Sequence, residues 1–411
     1  MRQNIRRVLA ALSCAVLLGT HGVAAAAKGN YIYDAADGVA SPATEDDKKW
    51  APTAAAVSEA ALSVGGKSAV LMEQETGTVL FEKNSHEKLA IASVTKIMTL
   101  LLVAEAIDGG IIKLDETVTA SATAASMGGS QIWLEQGEQM TVDELLKAAT
   151  IVSANDACAA LAEHLCGSID SFVARMNERA AQLGMKDTKF LDCSGLSDDA
   201  YSSAHDVALM ARELMRHTLI QKYTTVWMDT LRDGKSQLVN TNKLVRHYTG
   251  TTGLKTGTTQ KAGHCLCATA TRNGISFVAV ILGCATTDER FGGARAMLDY
   301  GFAHYALYTP VPDAAQLHPV AVRHGTAATV AVKADAAQPL LLAKGQERQV
   351  VPSVELSEKL EAPVEAGQVI GTWRLALDNK VVAEIPLRAE QSVGKMGLFC
   401  AFGRLFGALI K

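Results

Sequence analysis

This sequence lacks the basic face that a nucleic-acid partner would demand. Lysine and arginine number 39 against 43 acidic residues, so the net charge is −4 and no nucleic acid is expected as a partner. Long apolar runs are also scarce. The stretch from Val8 to Gly19 is shorter than the roughly 20 residues that a membrane-spanning helix needs. Metal-ligand patterns are weak, because Cys265-x-Cys267 has no second pair to complete a zinc site, and neither metal nor cofactor is expected. The 20% of charged and 5% of aromatic residues give no hint of disorder.

What is present begins with an export signal. Arg2, Arg6 and Arg7 precede the apolar stretch, and Val23 to Ala27 offers small residues for cleavage, so residues 1–27 read as a secretory signal peptide. Its removal takes away three arginines and no acid, which lowers the net charge to −7. Seven cysteines then remain, an odd number that leaves at least one free. Cys158, Cys265 and Cys267 sit in apolar patterns and read as small core residues.

A chain of 411 residues exceeds one ordinary core and suggests two domains plus tails. Residues 28–55 read as a leader or linker. Residues 56–309 read as an α+β domain, a helical cluster on an antiparallel sheet. Within it, Ser68 to Glu82 reads as a hairpin around Thr76-Gly77, and an apolar helix runs from Ser93 to about Ile107. Thr141 with Glu144 forms a capping box, and further helices cover Asn155 to Leu165, Ser171 to Leu183 and Ser203 to His217. Asn273-Gly274 joins two β-rich runs, with Lys255-Thr256-Gly257 on an adjacent strand. Residues 310–390 read as a small all-β sandwich domain. Residues 391–411 read as an amphipathic helix lying in a membrane interface, with Arg404 and Lys411 opposite the phenylalanines.

Three short segments carry the chemistry: Ser93-Val94-Thr95-Lys96, Ser153-Ala154-Asn155 and Lys255-Thr256-Gly257. A serine hydroxyl is a poor nucleophile until a base takes its proton. Ser93 and Lys96 lie one helical turn apart and can touch. Burial and the positive helix N-terminus both disfavour a charged lysine, so a neutral Lys96 can act as that base. The same N-terminus offers N–H groups to a developing oxyanion. Ser153 and Asn155 add polar groups, although Asn155 also suits a helix cap. Lys255 would attract a carboxylate, and Gly257 would let a substrate backbone approach. Each segment alone is common; their conjunction in helix, loop and strand contexts supplies an acyl-transfer kit without histidine.

The chain resembles the low-molecular-mass penicillin-binding proteins, the serine-type D-alanyl-D-alanine carboxypeptidases. The resemblance covers nearly everything after the leader. It rests on Ala92 to Thr99, Val152 to Ala157, Gly253 to Gly257 with Ala262-Gly263, Phe190 to Gly195, and Ser203-Ala204-His205-Asp206. It implies a penicillin-binding, β-lactamase-like transpeptidase fold followed by a β domain and an anchoring helix. It implies a substrate, the peptidoglycan stem peptide ending in D-Ala-D-Ala, and β-lactams as covalent inhibitors. In that scheme Ser93 attacks, Lys96 is the base, Ser153 relays a proton, and Asn155 binds the peptide amide and Lys96. The N–H groups of Ser93 and Thr258 form the oxyanion hole, while Lys255, Thr256 and Arg290 hold the terminal carboxylate. Position 258 is threonine where relatives often carry histidine. The implied location is the outer face of the cytoplasmic membrane.

Two rivals share the kit. A class A β-lactamase normally adds a glutamate that activates the deacylating water. The span from Asp187 to Asp199 contains Asp192, Asp198 and Asp199 but no glutamate. A penicillin-binding sensor or scaffold would acylate without turning over.

Overall fold

The structure is a computed structural model, and it describes residues 62–397. The signal-peptide and leader readings, residues 1–55, lie outside the described residues, as does most of the C-terminal helix reading. The described residues form two compact units divided after Tyr300.

The first unit is built on a five-stranded antiparallel sheet. Its strands are β1 (Ser68–Glu73), β2 (Val79–Lys83), β3 (Thr251–Thr259), β4 (Gly263–Arg272) and β5 (Ile275–Cys284), in the order β2-β1-β5-β4-β3. β1 is buried along its whole length, and β4 and β5 are buried through their middles. The β4–β5 turn places Asn273 at φ 51° and Gly274 at φ 80°, the left-handed pair that a tight hairpin requires.

The longest helices of the cluster are α1 (Lys96–Asp108), α2 (Val142–Ile151), α3 (Asn155–Cys166), α4 (Ile169–Gln182) and α5 (Ala204–Leu214). α1 is apolar nearly all round and buries every residue from Lys96 to Ala106, the signature of a central helix. α5 packs against β1 and β5, joining cluster to sheet. The Thr141–Glu144 capping box forms in both directions and starts α2. Ser203 caps α5 through the Asp206 N–H, while α4 starts at Ile169, capped by Ser168 rather than at Ser171. Cys158, Cys265 and Cys267 are fully buried. Burial pushes the Cys158 and Cys265 thiols up to about 11, so both stay protonated and pack as small apolar groups.

A sixth helix, α6 (Thr287–His304), contains the division between units. The second unit starts earlier than the expected residue 310, because Tyr305–Tyr308 pairs with Leu340–Ala343. It is all β, with a four-stranded antiparallel sheet around Val369–Leu377 and Lys380–Ala389 and a three-stranded sheet around Val320–Arg323. Trp373, Leu375 and Leu387 anchor one apolar cluster; Val330, Val364 and Val393 anchor another. Val393 bridges to Val364 and Lys395 to Gly325. Residues 391–397 are therefore extended where the sequence reading began a helix. Burying Val393 in the β unit, at 1% exposure, outweighs continuing an amphipathic helix toward the N-terminus. Among the described residues no helix is long and apolar enough to cross a membrane.

Candidate active site

Ser93 lies in a 3-10 turn, Ala92–Thr95, that feeds directly into α1. The sequence reading had the α-helix begin at Ser93. The tighter turn eclipses residues i and i+3, which brings the Ser93 and Lys96 side chains together more directly than an α-turn does. Lys96 Nζ stands 3.0 Å from Ser93 Oγ. Entry to the turn is forced, because Ala92 has φ 48°, a left-handed conformation that non-glycine residues seldom adopt.

Lys96 is fully buried and has two further partners. Its Nζ donates to Asn155 Oδ1 at 2.6 Å and to the Ser194 carbonyl at 2.7 Å. Asn155 opens α3 but does not cap it: Ala154 is the cap residue, and the Asn155 side chain turns inward. Its Nδ2 donates to the Gly128 carbonyl at 2.7 Å, which fixes which end of the amide faces the lysine. Burial lowers the Lys96 pKa. A neutral amine has two N–H donors and one lone pair. The two fixed oxygen acceptors can take both donors of a neutral Lys96, which would leave the lone pair for the Ser93 hydroxyl.

Ser153 and Lys255 form the second pair, with Lys255 Nζ donating to Ser153 Oγ at 2.9 Å and to the Thr256 carbonyl at 3.0 Å. Ser153 has φ 64°, a strained backbone that aims its hydroxyl from the α2–α3 connection. Burial, the Lys96 charge and then Arg290 hold the Lys255 pKa well below its ordinary value. Among the described residues neither lysine forms an ion pair with a carboxylate. Two buried amines without a counter-ion make a pocket that favours an anion.

β3 supplies the other wall. Thr256 Oγ1 donates to Thr241 Oγ1 at 2.7 Å, and Thr258 Oγ1 donates to the Gly257 carbonyl at 2.8 Å. Arg290, on α6, is 8% exposed and donates Nη1 to the Gly257 carbonyl at 3.1 Å and to Thr258 Oγ1 at 3.0 Å. It therefore reaches the strand end that the sequence placed it near by spacing alone. Gly257 has a packing role that the sequence did not show. A Cβ there would meet the Ile91 carbonyl at 2.5 Å and the Ser93 nitrogen at 3.1 Å. Its missing side chain admits the Ser93 turn against the strand.

Sequence reasoning missed three contributors. The Ser194 carbonyl carries no side-chain signature. It is presented by a tight turn whose N–H groups converge on Asp192: Ser194 donates at 2.6 Å, Leu196 at 3.2 Å, Ser197 at 2.8 Å, and Gly195 also donates. Burial alone would raise the Asp192 carboxyl, but these N–H bonds outweigh it and hold the pKa below the ordinary value. An Asp two residues before Ser-Gly, as in Asp192-Cys193-Ser194-Gly195, is a recognisable turn signal. Gly128 and Thr241 come from remote loops and leave no local signal.

Comparisons with known proteins show the family. The family profile of D-alanyl-D-alanine carboxypeptidase matches residues 53–286, and that of the penicillin-binding protein 5 C-terminal domain matches residues 305–395. The chain is 42% identical to the D-alanyl-D-alanine carboxypeptidase DacF of Bacillus subtilis over 356 residues, 83% of this chain and 89% of that protein. The structure of penicillin-binding protein 5 from Haemophilus influenzae superposes with a TM-score of 0.71 at 31% identity, covering 81% of this chain and 98% of that one. Ampicillin-bound penicillin-binding protein D2 from Listeria monocytogenes superposes with a TM-score of 0.54 at 32% identity, covering 59% of this chain and 98% of that one. By length matched and identity, the chain belongs to the D-alanyl-D-alanine carboxypeptidases, the low-molecular-mass penicillin-binding proteins.

Proposed function

We propose that this enzyme removes the terminal D-alanine from peptidoglycan stem peptides through an acyl-enzyme on Ser93. The observation that carries this reading is the bonding of Lys96: two fixed acceptors and a buried, depressed amine whose remaining valence meets Ser93. Lys96 takes the hydroxyl proton as Ser93 Oγ bonds to the carbonyl carbon of the penultimate D-alanine. The oxyanion is received by the N–H groups of Ser93 and Thr258, on two backbones that Gly257 lets pack closely. As the C–N bond breaks, Ser153 gives its proton to the departing amine, and the proton held by Lys96 replaces it. Water then attacks the ester, and Ser93 recovers its proton.

The terminal carboxylate is the anion that the Lys255 pocket lacks. Its arrival favours a charged Lys255, and a charged Lys255 in turn disfavours a second charge on Lys96. Thr256 and Arg290 complete the clamp, and Asn155 binds the amide upstream of the scissile bond. A β-lactam presents a carbonyl and a carboxylate to the same groups and traps Ser93. Asp192, Asp198 and Asp199 are all engaged, in the turn, with Thr259 and with Lys261, which supports peptide cleavage over lactam hydrolysis. Export through residues 1–27 and anchoring at the outer membrane face by the segment that follows residue 397 belong to the same reading.

The test is Ser93→Ala. D-alanine release from diacetyl-lysyl-D-alanyl-D-alanine and covalent labelling by fluorescent penicillin both vanish in that variant. Labelling that persists would sink the nucleophile assignment.

A further inference from the structure

Trp133 keeps 76% of its surface in water and has φ 54°. A bulky residue holds that left-handed conformation only when its surroundings impose it. Here they do so from two sides. The Asp156 carboxylate, fully buried at the start of α3, accepts the Ile132 N–H at 3.1 Å and the Leu134 N–H at 3.0 Å. From the other side Arg232 donates Nη1 to the Ile132 carbonyl at 2.9 Å and Nη2 to the Trp133 carbonyl at 3.5 Å. Arg232 is itself held by Glu138 through two hydrogen bonds. The Ile132 and Leu134 side chains are each 4% exposed and peg the segment into the core. The indole between them is the one side chain of the three left outside. An exposed tryptophan contributes little to folding, so a rigid, strained display of it is not explained by packing.

Its position supplies the explanation. The same loop gives the Ser130 carbonyl to the Asn155 N–H at 2.7 Å and the Gly128 carbonyl to the Asn155 side chain. Trp133 is thus a short backbone extension of the loop that orients Asn155. We propose that Trp133 is a specificity-determining platform on which the upstream part of the peptide substrate stacks, on the acyl side of the scissile bond. This rests on the carboxypeptidase reading given above. A carboxypeptidase substrate has one residue beyond that bond, and it ends in the carboxylate clamp at Lys255 and Thr256. Any substrate that extends past the pocket therefore extends upstream, past Asn155. An indole face suits the aliphatic stem of a long lysine-like side chain and attracts a cation above the ring. Because the backbone is already fixed, little conformational entropy is lost when the platform is used.

The experiment compares two probes in Trp133→Ala and Trp133→Phe. Diacetyl-lysyl-D-alanyl-D-alanine has an upstream side chain. 6-Aminopenicillanic acid reaches the nucleophile and the carboxylate clamp but carries no acyl side chain. Trp133→Ala lowers kcat/KM for the peptide by about tenfold, as loss of a well-placed aromatic contact does. It leaves the second-order acylation rate by the penicillin nucleus within about twofold, and Trp133→Phe restores most of the peptide rate. Parallel losses with both probes, or no loss with either, overturn the platform while the carboxypeptidase reading stands. If the wild-type enzyme releases no D-alanine at all, the carboxypeptidase reading fails first and takes the platform with it.

Discussion

Asp192 touches no reacting atom in this scheme, yet its replacement by asparagine should slow acylation. The carboxylate gathers the N–H groups of Ser194, Gly195, Leu196 and Ser197 and the Ser194 hydroxyl. An amide keeps one oxygen for this set but places an NH2 opposite the Ser197 N–H. At least one hydrogen bond to a charged acceptor is lost, at about 1.5–3 kcal/mol, and the others weaken. The total is on the order of 2–4 kcal/mol, which lowers Tm of the catalytic unit by roughly 5–10 °C. The turn also presents the Ser194 carbonyl that binds Lys96 at 2.7 Å. With that acceptor displaced, the Lys96 lone pair is no longer confined to Ser93, and acylation falls by about 10- to 100-fold. The rate is read with fluorescent penicillin, and stability by thermal unfolding across pH. The Asp192 pKa is depressed in the folded protein, so its stabilisation is present above the unfolded value of about 3.9 and is lost as pH falls through the native value. The wild type's advantage over Asp192→Asn therefore shrinks on acidification through that window. An asparagine variant that acylates at the wild-type rate, or whose deficit does not shrink in acid, refutes the argument.

Other outcomes follow from the same geometry. Burial lowers the Lys96 pKa, so the acylation rate should rise as pH climbs through that lowered value and stay high above it; a rate that increases on acidification would exclude Lys96 as base. Gly195 has φ 85°, and a Cβ there would lie 1.9 Å from the Ala92 carbonyl oxygen. Gly195→Ala should then abolish penicillin labelling and lower Tm, by several kcal/mol or more of strain and overlap. Labelling at the wild-type rate would show that the Ser93 turn tolerates displacement. Deleting residues 398–411 spares the Thr326 N–H bond to the Gly394 carbonyl and should release active enzyme from membranes; a membrane-bound truncation would disprove the anchor.

Much of the site was legible because its chemistry is local. Ser93 and Lys96 are three residues apart, Ser153 and Asn155 two apart, and Lys255 to Thr258 consecutive. Short spacing on a turn, a loop and a strand limits where each side chain can go. The capping box at Thr141, the Ser203 cap and the Asn273-Gly274 turn were legible for the same reason, since each is satisfied within four residues. Elements decided by distant partners were not. The 3-10 form of the Ser93 turn comes with the close approach of Gly257 on β3 and Gly195 in the Asp192 turn. Strand Tyr305–Tyr308 exists because Leu340–Ala343 pairs with it.

By itself the sequence determined the order of the three segments and nominated Ser93 as nucleophile and Lys96 as its base, because residue types and short intervals suffice to state that chemistry. Only the tertiary structure decided the state of the base. Lys96 is buried beside Ser93, and an amide from α3 and a carbonyl from the Asp192 turn, 59 and 98 residues away in sequence, accept its other two hydrogen bonds. Hydrogen-bond direction and burial depend on all the neighbours at once, and those neighbours meet only when the chain is folded.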